Sequence, residues 1–186
     1  RSSDLGDFGK YNEGQNQVAK LLNELVKQYS AKLILGLGDN IYPNGVNSIN
    51  DEKFIQFEEC YQKLPKGIKF YNVLGNHDYY GKVQPQIDYT NYSNRWRLYN
   101  NWYHFEKIIN KDKIHFFAID TNFNKLSDSM KYNQEIEVIN AINSSKAKWN
   151  IVYGHHPYKS TGYHGNSSSE LELFYKKKIE TKKVDI

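Results

Sequence analysis

Short apolar runs alternate along the chain with segments whose apolar residues recur at helical spacing. In EGQNQVAKLLNELVKQYS, Val18, Leu21, Leu22, Leu25 and Tyr29 fall on one stripe, which predicts an amphipathic helix. KLILGLGDN follows as an apolar strand that stops at Gly38. NDEKFIQFEECYQKL opens with acidic residues, which complement the dipole of a first helical turn, and predicts a second helix. KFYNVLGNHD predicts a strand ending in glycine, KIHFFAIDTN a strand ending at Asp120, and KWNIVYGHHP another strand running into glycine. Before the last of these, NQEIEVINAINSS is helical in pattern. Strands alternating with helices, several of them apolar on both faces, predict an α/β fold with buried sheet. Neither a repeat nor a linker-like boundary interrupts the pattern, so residues 1–186 read as a single domain.

Composition narrows the chemistry. The 186 residues can bury a real core, and no apolar run approaches the roughly 20 residues of a membrane span. A single cysteine, Cys60, allows neither an internal disulfide nor a thiolate metal site, so metal chemistry would fall to His, Asp, Asn and Tyr. Part of the net charge of +4 sits in YKKKIETKK, which reads as the solvated face of a helix; no nucleic-acid partner is expected. Asn-x-Ser sequons at Asn91, Asn143 and Asn166 matter only in a secreted protein.

One layout recurs. Strands end in glycine and pass at once to a metal-capable or proton-transferring residue: Gly38-Asp39-Asn40, Gly75-Asn76-His77 and Gly154-His155-His156, with LGDFG at Leu5 to Gly9 as a fourth case. In α/β sheets ligands collect at the carboxyl ends of strands, where loops converge on a rigid frame. If these loops converge, Asp7, Asp39, Tyr42, Asn76 and His155 are ligands for a pair of metal ions with one bridging carboxylate. Two such ions acidify a bound water and grip phosphoryl oxygens, the combination that phosphate ester hydrolysis needs. His77, directly after Asn76, is placed to supply a proton to the leaving group.

Each residue taken singly also has a plainer role. An aspartate after a strand is a turn former or helix cap, and Asp120 is read that way, as ordering the loop behind it. His104 and His115, among aromatics in WYHFEK and KIHFFAI, read as packed or surface strand residues. His156 is expected to point away from the site, fixed by Pro157. It is the joint occurrence of four strand-end motifs that turn chemistry does not explain.

Together LGDFG, LGDNIYPNG, VLGNHDYYG and VYGHHP resemble the successive motifs of the calcineurin-like metallophosphoesterases, and within them the purple acid phosphatases of the tartrate-resistant, low-molecular-weight type. SNRWRLYNNWYHF and STGYHG resemble that group's Arg-Trp segment and its loop with a second active-site histidine. The resemblance implies a four-layer αββα sandwich. It implies Asp7, Asp39 and Tyr42 as ligands of a ferric ion, with Asp39 bridging to a divalent ion (iron, zinc or manganese) also held by Asn76 and His155. His77 and His164 correspond to the histidines that contact phosphate and assist the leaving group. The activity implied is hydrolysis of phosphate monoesters, on small esters or phosphoproteins, with a phosphodiesterase or nuclease, or a non-catalytic binding protein of the same fold, as alternatives. The resemblance also suggests a secreted or lysosome-like setting.

Two positions depart from the pattern. Asp4 and Asp7 both fit the first Asp-x-Gly motif, and Asp7 is preferred because Leu5-Gly6 before it copies Leu37-Gly38 before Asp39. The resemblance also calls for a closing Gly-His-x-His motif giving one histidine to each metal. That motif does not occur in the 186 residues; the favoured expectation is a chain cut before it, from a longer enzyme, and the alternative is a true loss of those ligands that leaves a weak or empty metal site.

Overall fold

The structure, a computed structural model, describes residues 2–163, 165–180 and 184–185. The described residues form a mixed α/β protein with two sheets and five α-helices, and the chain divides into two compact units, Arg1–Asn101 and Trp102–Ile186.

In the first unit, β1 (Ser2–Leu5), α1 (Glu13–Gln28), β2 (Leu33–Gly36), α2 (Glu52–Tyr61), β3 (Phe70–Asn72), α3 (Val83–Asp88) and β4 (Trp96–Arg97) follow in order. The strands form one parallel sheet, β1-β2-β3-β4, with Ser2 opposite Leu33, Ile34 opposite Phe70 and Phe70 opposite Trp96. Parallel neighbours need crossovers, which α1 and α2 supply. Leu33, Ile34, Leu35, Phe70 and Tyr71 are all buried, which accounts for the continuous apolar runs. Ser2–Leu5 carries little strand signal of its own; its pairing comes from the edge that β2 offers. Asn12 and Asp51 cap α1 and α2 through their side chains. The Arg-Trp segment closes the unit. The Arg95 guanidinium donates to the carbonyls of Gln62, Leu64, Pro65 and Ile68, and the buried Trp96 donates its indole N–H to Gln86 O at 2.8 Å.

The face of α1 differs from the one its largest apolar residues predict. Gln15, Ala19, Leu22 and Val26 are buried, while Val18, Leu21 and Tyr29 are exposed. Ala19 is the physical reason: a small side chain lets the helix approach α2 closely, and Cys60 comes within 3.9 Å of Gln15 O there. Close approach, rather than side-chain size, sets the rotation.

In the second unit, β5 (Tyr103–Ile109) and β6 (Asp112–Ala118) form an antiparallel hairpin. Its turn residues Asn110 and Lys111 have φ of 51° and 75°, the left-handed pair that suits strand twist. α4 (Asp128–Ser144) then crosses to β7 (Trp149–Tyr153), which pairs parallel with β6, giving the order β5-β6-β7. The buried Gln134 of α4 clasps the end of β6 by accepting from Asp120 N at 2.7 Å and donating to Asp120 O at 3.0 Å. α5 (Ser169–Phe174) runs into a π-helical turn, Tyr175–Ile179, where Lys176 and Lys177 are exposed as a solvated face requires. His115 is buried and His104 exposed, both on strands as expected. Among the described residues no helix is long and apolar enough to cross a membrane.

Candidate metal centre

Two strand-exit loops of the first unit are laced together by backbone. Asp7 N donates to Gly38 O at 3.1 Å, Gly9 N to Asp39 O at 3.3 Å, and Tyr42 N to Gly9 O at 2.9 Å. Asp7 and Asp39 both take left-handed backbone, with φ of 52° and 49°. That conformation is uncommon for a residue with a side chain and persists only where the surroundings impose it. Its result is convergence of oxygen atoms. The Tyr42 hydroxyl donates to Asp39 Oδ2 at 2.6 Å and lies 3.0 Å from Asp7 Oδ1. Burial, then Asp39, then Asp7 push the Tyr42 phenol above its ordinary range. Two carboxylates and a phenol gathered on one proton make a set of hard oxygen donors, a fit for a hard metal cation.

The loop after β3 joins this group. His77 N donates to Asp39 Oδ1 at 2.9 Å, and the His77 ring packs on Tyr42 with centroids 4.2 Å apart. His77 Nδ1 is 2.6 Å from the carbonyl oxygen of Pro43. A carbonyl only accepts, so Nδ1 carries the hydrogen and the neutral ring leaves its lone pair on Nε2, 4.0 Å from Asp39 Oδ2. Asn76 is half-buried at the start of the same loop.

Asp78, which the sequence did not single out, holds both loops. Its wholly buried carboxylate accepts from Asn40 N, Asn40 Nδ2, Ile41 N and Gly75 N, at 2.8 to 3.2 Å. Burial pushes this carboxyl up to about 7, against the pull of the Gly75, Asn40 and Ile41 N–H groups. The signal that could have found it is its spacing: three residues past Gly75, it can close a turn onto that glycine's N–H while facing the Asp39-Asn40 loop.

In the second unit, His155 follows β7 and Gly154 and is half-buried, its ring 4.9 Å from that of His156. The tether of His156 is Thr121, a residue the sequence did not single out, in addition to the restriction Pro157 imposes. The Thr121 hydroxyl accepts from His156 N at 3.0 Å and lies 2.8 Å from His156 Nδ1. Asp120 orders the loop after β6 as expected, accepting from Asn122 N and Nδ2, each at 2.9 Å. The structure thus brings Asp7, Asp39, Tyr42 and His77 together in one unit and sets His155 at a strand exit of the other. His164 and the side chain of Asp4 lie outside the described residues.

Comparison with known proteins agrees with these motifs. The chain is 32% identical to purple acid phosphatase 4 of Arabidopsis thaliana over 98% of its length, covering 58% of that protein. It is 28% identical to tartrate-resistant acid phosphatase type 5 of Homo sapiens, over 79% of this chain and 51% of that one. The chain therefore spans between half and two thirds of the length of these relatives. Among solved structures it superposes on GAP50, described as the anchor in the inner membrane complex of Plasmodium, with a TM-score of 0.81 and 25% identity, over 99% of this chain and 63% of that one. The calcineurin-like phosphoesterase family model matches residues 3–181. By motifs, fold and extent of match, the chain belongs to the calcineurin-like phosphoesterase family.

Proposed function

We propose that the chain is the site-bearing part of a metal-dependent phosphate monoester hydrolase of the purple acid phosphatase type, acting as one metallophosphoesterase domain. Asp7, Asp39 and Tyr42 would hold a ferric ion, and Asp39, Asn76 and His155 would hold a divalent ion (iron, zinc or manganese). When bound, such a pair acidifies water and neutralises charge on a phosphoryl group. The observation that carries this reading is the Tyr42 hydroxyl lying within 3.0 Å of both Asp39 and Asp7 carboxylates on left-handed backbone. An oxygen cluster of this kind is electrostatically uncomfortable until a cation occupies it.

The chain's own residues have separable roles. His77, with one hydrogen fixed on Nδ1 by Pro43 O, would when protonated present Nε2–H as the donor that binds phosphate oxygen and gives its proton to the departing alkoxide. His164 is the second candidate for that proton. Asp78 keeps the Asp39 and Asn76 loops in register without touching substrate. Small phosphate esters or phosphoproteins are the substrates this reading expects.

The test is metal content, visible spectrum and turnover of the full-length protein. We expect about two metal ions per chain, a tyrosinate-to-iron absorption band, and hydrolysis of an aryl phosphate that exceeds that of the corresponding diester. Asn76→Ala should lower turnover by at least a hundredfold with the fold intact. The likeness to GAP50, named as an anchor, favours one second reading, a binding protein that keeps the fold. Fewer than one ion per chain and no turnover in wild type would select it.

A further inference from the structure

The β5–β6 hairpin carries two histidines that the phosphatase reading leaves unused. His104 lies opposite Phe117 and His115 opposite Glu106, so the two histidines are diagonal neighbours across the strand pair. His104 Nδ1 and His115 Nε2 face one another at 2.9 Å.

The far side of His115 fixes the protons. The Ser145 hydroxyl is 2.7 Å from Asn150 Oδ1, which only accepts, so the hydroxyl hydrogen points there. Ser145 Oγ, 3.1 Å from His115 Nδ1, therefore accepts, and His115 carries its hydrogen on Nδ1. The Nε2 lone pair of neutral His115 is then aimed at His104, whose Nδ1–H fills it. One proton sits where two imidazole nitrogens converge.

The same features suit a metal ion. A ligating histidine characteristically donates its other N–H to a fixed acceptor, the part that Ser145 takes for His115. His115 is 5% exposed and held in place, whereas His104 is exposed and can turn. Imidazole nitrogens bind zinc at about 2.0–2.1 Å, which sets two of them on one tetrahedral ion roughly 3.3 Å apart. A widening of about 0.4 Å, within reach of a small rotation of His104, separates the present arrangement from that one. Phe117 forms an apolar floor, with its ring centroid 4.1 Å from His115 and 6.1 Å from His104. Glu106 Oε1 is 3.9 Å from His115 Nδ1, on the side away from the shared proton, so it supplies counter-charge and not a bond; Lys113, 2.8 Å from Glu106 Oε2, offsets part of that charge.

We propose that His104 and His115 form a two-imidazole site for one borderline divalent cation, such as Zn²⁺, Ni²⁺ or Cu²⁺, with water completing its coordination. On binding, His104 gives up its Nδ1 hydrogen and takes one on Nε2, so it ligates as a neutral imidazole with no net proton released. The proposal does not depend on phosphatase activity, and its test reads none.

The test titrates metal-stripped full-length protein with Zn²⁺ by calorimetry, in parallel with His104→Ala. Wild type should bind one more ion than the variant, or bind it at least tenfold more tightly. Equal stoichiometry and equal affinities would overturn the proposal. Because a substitution can act through folding, a second measurement uses the unaltered protein: diethyl pyrocarbonate labelling of His104, followed by mass spectrometry. Zn²⁺ should slow labelling at His104 severalfold while leaving an exposed tyrosine such as Tyr92 unchanged. Labelling of His104 that is indifferent to Zn²⁺ would also overturn it.

Discussion

The loop after β3 and the loop after β7 leave their strands in the same way, through glycine into a histidine-bearing segment, Gly75-Asn76-His77 and Gly154-His155-His156, yet they are held by different forces. The first is fastened by a buried carboxylate: Asp78 accepts four N–H groups from two loops among the described residues. The second is fastened by a neutral hydroxyl, Thr121, with a longer bond of 3.3 Å from Tyr175 OH to His156 O. Hydrogen bonds to an ionised acceptor, which Asp78 becomes as pH rises past about 7, contribute about 1.5–3 kcal/mol, against about 0.5–1.5 for neutral pairs. Similar sequence layouts therefore conceal, among the described contacts, one loop braced by a carboxylate and one tethered by a hydroxyl. The braced loop belongs to the unit that brings Asp7, Asp39, Tyr42 and His77 together; the tethered one carries His155.

The sharpest way to break this contrast is Asp78→Ala. Four buried N–H groups would lose their acceptor in a site closed to water, and we expect a loss on the order of 4 kcal/mol, read as a lowered urea midpoint. Asp78→Asn keeps the shape but turns an amide donor toward donors, so it should recover less than half of that loss. A loss below about 1 kcal/mol for Asp78→Ala would mean that the brace is ornamental and the two loops are alike.

Matched glycine substitutions sharpen the contrast next. A Cβ on Gly75 would stand 2.2 Å from both Asp39 N and Asp39 Oδ1, against backbone and a carboxylate that is itself held. On Gly154 the nearest atom is the Thr121 methyl at 2.6 Å, then Ile119 Cγ1 at 3.1 Å, both in side chains. Gly75→Ala should therefore cost about 3 kcal/mol and Gly154→Ala about 1, at the two ends of the range for overpacking. Equal costs would show that the loop after β7 is as unyielding as its counterpart.

Much of this was legible in the sequence, and the parts that were not share a cause. Apolar runs such as Leu33–Leu35 and Phe116–Ile119 announce buried strands because a strand packed on both faces has no polar position to spare. The strand-end motifs announce Asp39, Tyr42 and His77 because their chemistry is carried by residue type and local order. Asp78 and Thr121 were missed because their importance lies in what they touch 35 to 38 residues away, at Asn40, Ile41 and His156, and a carboxylate or hydroxyl in a loop has the same local signature whether it braces a site or caps a turn. The rotation of α1 was misjudged likewise. Five large apolar residues define a stripe, but Ala19 decides which side can come close to α2, and closeness is a property of the pair of helices.

The smallest expected effect is the most discriminating, because it isolates what the Thr121 hydroxyl contributes to holding His156. Thr121→Val keeps the volume and β-branching of a side chain that is 3% exposed, and removes only the oxygen shared by His156 N and Nδ1. The His156 amide can then turn toward water more easily than a wholly buried donor could, since His156 is itself only half-buried. The loss should therefore stay near 1 kcal/mol. Amide exchange should separate this from a general weakening: the His156 N–H should exchange about fivefold faster, while the Gly75 and Asn40 N–H groups, bonded to Asp78, should keep their rates. Thr121→Ser restores the oxygen and should restore the exchange rate. If instead the valine variant keeps the wild-type exchange rate while the serine variant exchanges faster, the Thr121 methyl packed near Gly154 is the tether, and the loop after β7 is held by packing instead of hydrogen bonding.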